Sequence, residues 1–214
     1  MAFRKIFLTQ VDSTQLYLID YIKKYGYKTP LIVVTDNQTH GISSKNNCWE
    51  SVVGNLYFSF VLPIAKLTND LPLQSASIYF SFLLKHILSS RGSKCYIKWP
   101  NDFYIKNKKI GGTITKVSSN LLYCGIGLNI YEPNKNFGKL DINIDKRQLI
   151  DDFTNLIEKY LSFATIFKKF MLEYHNNCSS HKTSINGKII SLKPEMLQND
   201  GSLLIDGKKE YSLR

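Results

Sequence analysis

Two short runs place chemically useful side chains at fixed spacing: Lys98-Trp99-Pro100-Asn101-Asp102 and, shortly after, Lys108-Lys109-Ile110-Gly111-Gly112. Cys95 to Trp99 alternates, so Cys95, Ile97 and Trp99 share one face of a strand and Tyr96 and Lys98 the other. Pro100 fixes its own φ, and Asn101 and Asp102 favour the turn that follows. A second strand, Phe103 to Ile105, ends at the polar turn Lys106-Asn107-Lys108. A lysine on a strand cannot swing far and is therefore a cation held in a defined place, suited to meeting an anion. Gly111 and Gly112, without a Cβ, let a ligand or another backbone approach closely. The same residues would also describe an ordinary hairpin carrying a solvated lysine.

A second constellation is His175-x-x-Cys178-x-x-His181, whose spacing could ligate a metal. It offers three ligands with no fourth nearby, in a polar segment, so no metal-ligand set is assigned from it. Cys48, Cys95, Cys124 and Cys178 lie far apart with no C-x-x-C, which suits reduced thiols and a cytoplasmic location. No apolar run approaches the length of a membrane span, and the N-terminus turns polar too quickly for a signal peptide.

The formal charge is +11, but the lysines are scattered, no run of five occurs, and Arg4, Arg91, Arg147 and Arg214 are the only arginines. Binding to DNA or another nucleic acid would call for clustered cations and exposed stacking aromatics, and the sequence shows neither. A scattered positive charge of this kind attracts anionic ligands and acidic surfaces in general.

The elements that must position Lys98 follow from periodicity. Ile6 to Leu8 reads as a strand. Asp12-Ser13-Thr14 supplies cap residues for a helix through Lys24, with Leu16, Ile19 and Ile22 on one side and Gly26 ending it. Leu31 to Thr35 is a buried strand, Asp36 to Asn47 a polar loop, and Leu56 to Leu62 a strand stopped by Pro63. A helix spans Ser75 to Ser90 and buries Ile78, Phe82 and Ile87. After the Lys98 hairpin come strands at Ile110 to Val117 and Leu121 to Ile130. Helices follow at Lys146 to Tyr160 and Ala164 to Tyr174, with Leu149, Phe153, Leu156 and Tyr160 on one face. From Lys182 the pattern becomes a β-rich tail of about four short strands, with turns at Asn186-Gly187, Asp200-Gly201 and Asp206-Gly207.

The Lys98 stretch resembles the KWPNDxY…(R/K)K(L/I)xG signature of biotin protein ligases. Asp12-Ser13-Thr14 resembles the family's (L/V)DSTN motif, with Gln15 in place of Asn. Gly54-Asn55-Leu56-Tyr57-Phe58-Ser59 resembles its (G)NLYxS strand, and Gly125-Ile126-Gly127-Leu128-Asn129 its GxGxN strand. The four occur in the family's order across residues 12 to 129. The resemblance implies an α+β fold, a mixed central sheet with flanking helices like that of class II aminoacyl-tRNA synthetases. It also implies a catalytic domain over residues 1–178 and a small, shortened SH3-like β domain over 179–214, closing on Tyr211-Ser212-Leu213-Arg214. Motifs beginning at Asp12 leave no room for the N-terminal helix-turn-helix of bifunctional ligase-repressors, so a ligase without the repressor is expected.

The activity implied is ligation of biotin to a lysine of the biotin carboxyl carrier protein of acetyl-CoA carboxylase, through biotinyl-5′-AMP, with ATP and Mg²⁺. Lys98 is then the catalytic cation between the biotin carboxylate and the α-phosphate. The resemblance carries biotin contacts to Ser13, Thr14, Gln15, Gln38, Gly41, Ile42, Lys98, Gly112 and Gly125, with Gly127 beside the last. It carries ATP or adenylate contacts to Lys45, Trp49, Asn101, Lys109 and Asn129. Asp102 is the candidate base for the attacking amine. An exposed sheet edge could pair with the carrier, or with a second copy in a homodimer.

The chain departs from the family at the loop of type GRGRxGR. Thr39 to Cys48 keeps Gly41 and one basic residue, Lys45, so Ile42, Ser43 and Ser44 could give backbone contacts only. Loss of charge-assisted bonds of about 1.5–3 kcal/mol each predicts weaker biotin affinity or faster escape of the adenylate. Lys116 stands where the family often has Glu. Alternatives within reach of the same scaffold are a lipoate-type protein ligase and a non-catalytic binding protein.

Overall fold

The computed structural model describes residues 2–43, 48–185 and 187–211. Its centre is a seven-stranded sheet. The strands are β1 (Arg4–Leu8), β2 (Leu31–Thr35), β5 (Leu56–Pro63), β6 (Tyr96–Lys98), β7 (Asp102–Ile105), β8 (Lys108–Ser118) and β9 (Leu121–Leu128), in the spatial order β1-β2-β5-β9-β8-β7-β6. β1 pairs parallel with β2 and every other neighbour is antiparallel, so the sheet is mixed, as expected.

One register row crosses all seven strands: Leu8, Thr35, Tyr57, Gly127, Gly112, Asp102 and Lys98. Directly opposed residues point to one side of a pleated sheet, so this row shares a face. The opposite face is closed by α2 (Ala76–Ser90), α3 (Lys146–Ile157) and α4 (Phe163–Asn177). There Phe58 meets Phe153 edge-on at 5.4 Å and Phe60 meets Phe80 at 4.9 Å. Full burial of each such ring contributes on the order of 1.5–3 kcal/mol.

The face carrying the Lys98 row is covered over only part of its width, by α1 (Thr14–Tyr25). Leu18 and Ile22 of that helix pack on Leu31, Val33, Val61 and Tyr123. Here the sequence reading needs correction: Leu16 is 46% exposed, and Gln15, Leu18 and Ile22 form the inner stripe. Ser13 still caps the helix and Gly26 still ends it. A similar correction applies to Tyr160, which lies beyond α3 with φ +49 and 43% exposure. The segment expected as loop before β5 contains a short hairpin, β3 (Gly41–Ile42) with β4 (Cys48–Trp49).

Among its described residues the tail forms four short strands in two separate hairpins, β10 (Lys182–Ile185) with β11 (Lys188–Ser191) and β12 (Leu203–Ile205) with β13 (Lys208–Glu210). Asp206 and Gly207 both take positive φ, the conformation a two-residue hairpin turn demands. Among the described residues the last strand, β13, ends at Glu210; the closing strand expected over Tyr211 to Arg214 falls on residues 212–214, which lie outside the described residues. Trp99 Nε1 donates to Gly201 O at 2.9 Å and Ser75 Oγ to Asp200 O at 2.5 Å, and Leu192 and Leu203 join the main core. The tail is thus seated on the strand and helix behind Lys98. Among the described residues no helix is long and apolar enough to cross a membrane.

Candidate functional site

The uncovered part of the sheet is floored by glycine. A Cβ at Gly125 would stand 2.9 Å from Gln15 Oε1 and 3.1 Å from Ser59 Oγ. One at Gly127 would stand 3.0 Å from the Trp49 ring, and one at Gly112 3.2 Å from Asp102 Oδ1. Side chains from α1, from the β3–β4 hairpin and from the β6–β7 turn therefore come down onto bare backbone. The resulting cleft is lined by Ser13, Gln15, Gln38, Ile42, Trp49, Asn101, Asp102, Lys109, Gly112 and Gly125, and also by Tyr57, Ser59 and Gly127.

At the α1 end the cap residues build a polar wall. Ser13 Oγ accepts from Leu16 N, and Thr14 N donates to Gln38 Oε1 at 2.8 Å. The Thr14 hydroxyl contacts Gln38 Oε1 at 3.1 Å and Ser59 Oγ at 2.8 Å, so Thr14 ties α1 to the loop and to β5. Gln15 Oε1 is buried and has no hydrogen-bond partner among the described residues. An orphaned acceptor of this kind costs about 1–3 kcal/mol, and an N–H donor in the cleft would satisfy it. Gly41 fits closely under Gln38 Nε2 and the Trp49 Cβ, where a side chain would clash.

At the other end two lysines flank one carboxylate. The β7–β8 register shifts between Phe103 and Tyr104, so Tyr104 opposes Lys109 where regular pairing would bring Ile110. That shift turns Lys109 onto the cleft face. Lys109 Nζ lies 2.6 Å from Asp102 Oδ1 and 5.6 Å from the Trp49 ring centroid. Lys98 stands one strand beyond Asp102, at the rim, with Nζ 3.4 Å from Tyr104 Oη. Burial pushes the Lys98 ammonium below its ordinary pKa; Asp102 opposes that shift and Lys109 adds to it.

A second hollow adjoins the first through a shared wall of Ser43, Trp49 and Lys109, and is otherwise lined by Glu50, Asn129, Pro133 and Phe137. Trp49 Nε1 is buried without a partner among the described residues. Asn129 borders this hollow, but its amide is held within the scaffold, donating to Gly138 O at 3.2 Å and accepting from Asn55 at 3.3 Å. Asn101 likewise donates to the β8 backbone at Thr113 O. Lys45 lies outside the described residues.

The structure thus gathers Ser13, Gln15, Gln38, Ile42, Trp49, Asn101, Lys109, Gly112 and Gly125 on one cleft, with Lys98 at its rim and Thr14 and Gly41 behind its wall. Tyr57, Ser59 and Asn55 stood in a recognised motif, but sequence reasoning gave them no part in the site. The first two were legible, since alternation along β5 puts them on the face of Gly125 and Gly127. Asn55 was not, because its role is to accept from Ile130 N and Tyr131 N across the sheet. Two of the three residues of the metal-like spacing are engaged elsewhere, Cys178 in the core and His181 at Tyr96. His181 bonds Tyr96 at 2.9 Å, and among the described residues no three His, Cys, Asp or Glu side chains converge as ligands.

A family model described as the biotin/lipoate A/B protein ligase family matches residues 7–130. This chain belongs to that family. Within it, a biotin acetyl coenzyme A carboxylase synthetase from Helicobacter pylori, solved with bound biotinylated ATP, superposes with a TM-score of 0.89 at 33% identity, covering 99% of this chain and 100% of that one. Biotin protein ligase from Aquifex aeolicus, in complex with biotin and ATP, shares the fold with a TM-score of 0.74 at 23% identity, covering 99% and 96% of the two chains. Biotin–protein ligase 2 of Arabidopsis thaliana is 32% identical over 108 residues, 46% of this chain and 32% of that protein. The bifunctional ligase/repressor BirA of Bacillus subtilis is 29% identical over 116 residues, 50% of this chain and 34% of its own length. The matched stretch spans about a third of the curated relatives. As a biotin/lipoate ligase family member, the chain sets its four sequence motifs around one cleft on the open half of the sheet.

Proposed function

We propose that the chain is an ATP-dependent biotin–protein ligase. The biotin carboxylate attacks the α-phosphorus of ATP, forming biotinyl-5′-AMP and releasing pyrophosphate. The amine of a carrier-domain lysine then attacks the acyl carbon, forming an amide and releasing AMP. The reading rests above all on one observation: two hollows, one ending at the orphaned Gln15 Oε1, meet at a wall that carries Lys109. Biotin fits the first, with its ureido N–H groups toward Gln15 and the Ser13 cap, and the nucleotide fits the second, against Trp49. The carboxylate and α-phosphate then meet beside Lys109, within reach of Lys98.

Two unit charges at about 4 Å interact by on the order of 4 kcal/mol near a protein surface, so the anions need a cation between them. Lys109 is already there, and Lys98 approaches from the rim with its ammonium already partly stripped of water. Both are preorganised, which is what stabilises charge that develops in a transition state. Asp102 holds Lys109 in place. Mg²⁺ would travel on the phosphates of ATP, since no carboxylate cluster is built to hold it among the described residues.

The acceptor we assign is the carrier domain of a biotin-dependent carboxylase, in the cytoplasm. Of the two sheet edges, β6 is covered by α4, where Glu173 accepts from Ile97 N at 2.7 Å. The β1 edge is therefore our choice for a partner strand, from the carrier or from a second copy of the chain. The test is transfer: the protein is mixed with Mg-ATP, biotin and a biotin-carrier domain, with Lys98→Ala and Lys109→Ala alongside. Labelling by biotin that weakens in both variants supports the reading. No labelling at any biotin concentration overturns it, and labelling by lipoate alone replaces it with the lipoate reading.

A further inference from the structure

Lys98 does not stand alone at the rim. Its ammonium lies 5.2 Å from the Tyr104 ring centroid, and Tyr104 belongs to a cluster of three rings with Tyr96 and His181. His181 stacks on Tyr96 with centroids 5.4 Å apart and lies 5.5 Å from Tyr104. It is 8% exposed and belongs to the tail, pinned by its own N–H to Cys178 O at 2.9 Å and by Leu192 N to its carbonyl at 3.0 Å.

The hydrogen bonding fixes which ring nitrogen of His181 carries a proton. Tyr96 has one hydroxyl hydrogen and donates it to Lys106 O at 2.6 Å. A carbonyl can only accept, so the 2.9 Å contact between Tyr96 Oη and His181 Nε2 requires Nε2–H to donate. The tail thereby clamps Tyr96, and through the ring stack it clamps Tyr104, on which Lys98 rests.

We propose that Tyr104 and His181 are positioning residues for Lys98, and that through them the C-terminal tail sets the placement of a cleft lysine by direct contact. This rests on the reading of Lys98 as part of the ligase machinery. The groups facing His181 are Tyr96 and Lys98 of β6 and Tyr104 of β7, with Glu173 of α4 acting on Tyr96. Burial, and then the charge of Lys98, hold His181 below the ordinary histidine pKa, so the neutral ring is the form present near neutrality. Protonating it puts a second cation against Lys98 and works the lysine off Tyr104.

The experiment is single-turnover formation of biotinyl-5′-AMP by the full chain with saturating biotin and Mg-ATP, followed from about pH 5.5 to 8.5. Wild type, Tyr104→Phe, His181→Phe, His181→Gln and Lys98→Ala are compared. Tyr104→Phe keeps the ring but removes the hydroxyl that lies 3.4 Å from Lys98 Nζ; it is expected to slow adenylation about tenfold while the biotin Kd moves less than about twofold, the mark of an interaction that places Lys98 rather than binds substrate. His181→Gln keeps a nitrogen donor for Tyr96, so it should keep the neutral-pH rate and lose the acid-side inflection. His181→Phe should lose both the inflection and part of the rate. If Lys98→Ala is inactive while Tyr104→Phe and both His181 variants match wild type in rate and profile, the positioning proposal falls and the role of Lys98 stands. If Lys98→Ala adenylates at the wild-type rate, that role and the positioning proposal fall together. Should His181→Phe fail to fold, His181→Gln and Tyr104→Phe decide between the same outcomes.

Discussion

The indole of Trp49 packs directly against Gly127: a Cβ at that glycine would stand 3.0 Å from both Cε2 and Cζ2 of the ring. The contact ties the wall between the two hollows to the middle of the sheet, so its consequences should appear on the nucleotide side.

Gly127→Ala is expected to push Trp49 off the floor. Overpacking costs about 1–3 kcal/mol, and the displaced ring should weaken ATP binding about tenfold with a smaller effect on biotin. Calorimetric titration of each substrate separates the two, and intrinsic fluorescence with Trp49→Phe as reference shows whether the indole has moved.

Gln15→Met tests the opposite hollow. The change is close to isosteric and removes a buried acceptor that has no partner among the described residues. Stability should hold or rise, whereas biotin affinity should fall by about 1–3 kcal/mol, because the ligand loses its acceptor. Thermal unfolding and biotin titration of the same preparation check both halves; a drop in stability with unchanged affinity would place Gln15 in the scaffold.

Glu173→Ala should be costly. Its carboxylate pairs with Lys85 Nζ at 2.5 Å, the two side chains being 13% and 16% exposed, and it also holds Ile97 N. Removing one partner of a pair this buried leaves the other uncompensated, at about 3–5 kcal/mol. A lower urea midpoint at constant slope is expected, together with slower adenylation, since Ile97 is the residue beside Lys98.

Asp200 gives the tail an acid-sensitive anchor. Burial opposes its ionisation, but hydrogen bonds from Lys209 and Ser202 outweigh that and bring the carboxyl down to about 2. A depressed folded-state pKa means the stabilisation is fully present above the ordinary value of 3.8 and is lost as pH falls through about 2. Wild type should therefore exceed Asp200→Asn in Tm by a steady margin above about pH 4, and the two curves should converge on acidification.

Much of the fold was legible because local signals agreed with it. The alternation of Cys95 to Trp99 gave the buried and open faces of β6 correctly, and Ser13 and Gly26 bounded α1 as their types predict. What stayed hidden depended on partners distant in sequence. Leu16 obeys the helical period that places it inside, but Gln15 takes that position because the cleft, not the core, lies beneath the first turn. Lys109 was carried to the nucleotide by resemblance alone, because the irregular β7–β8 register that turns it inward leaves no mark in the local alternation. Nor could His181 be read, since its spacing resembled a metal site and its true neighbours, Tyr96 and Tyr104, come from the far side of the chain.

The reaction assigned to the cleft is tested most directly by mass spectrometry of the protein mixed with biotin and Mg-ATP in the absence of any acceptor. Biotinyl-5′-AMP is expected, with pyrophosphate released in equal amount, and lipoate in place of biotin should leave ATP intact. ATP unchanged at every biotin concentration, or an adenylate formed from lipoate alone, would contradict it.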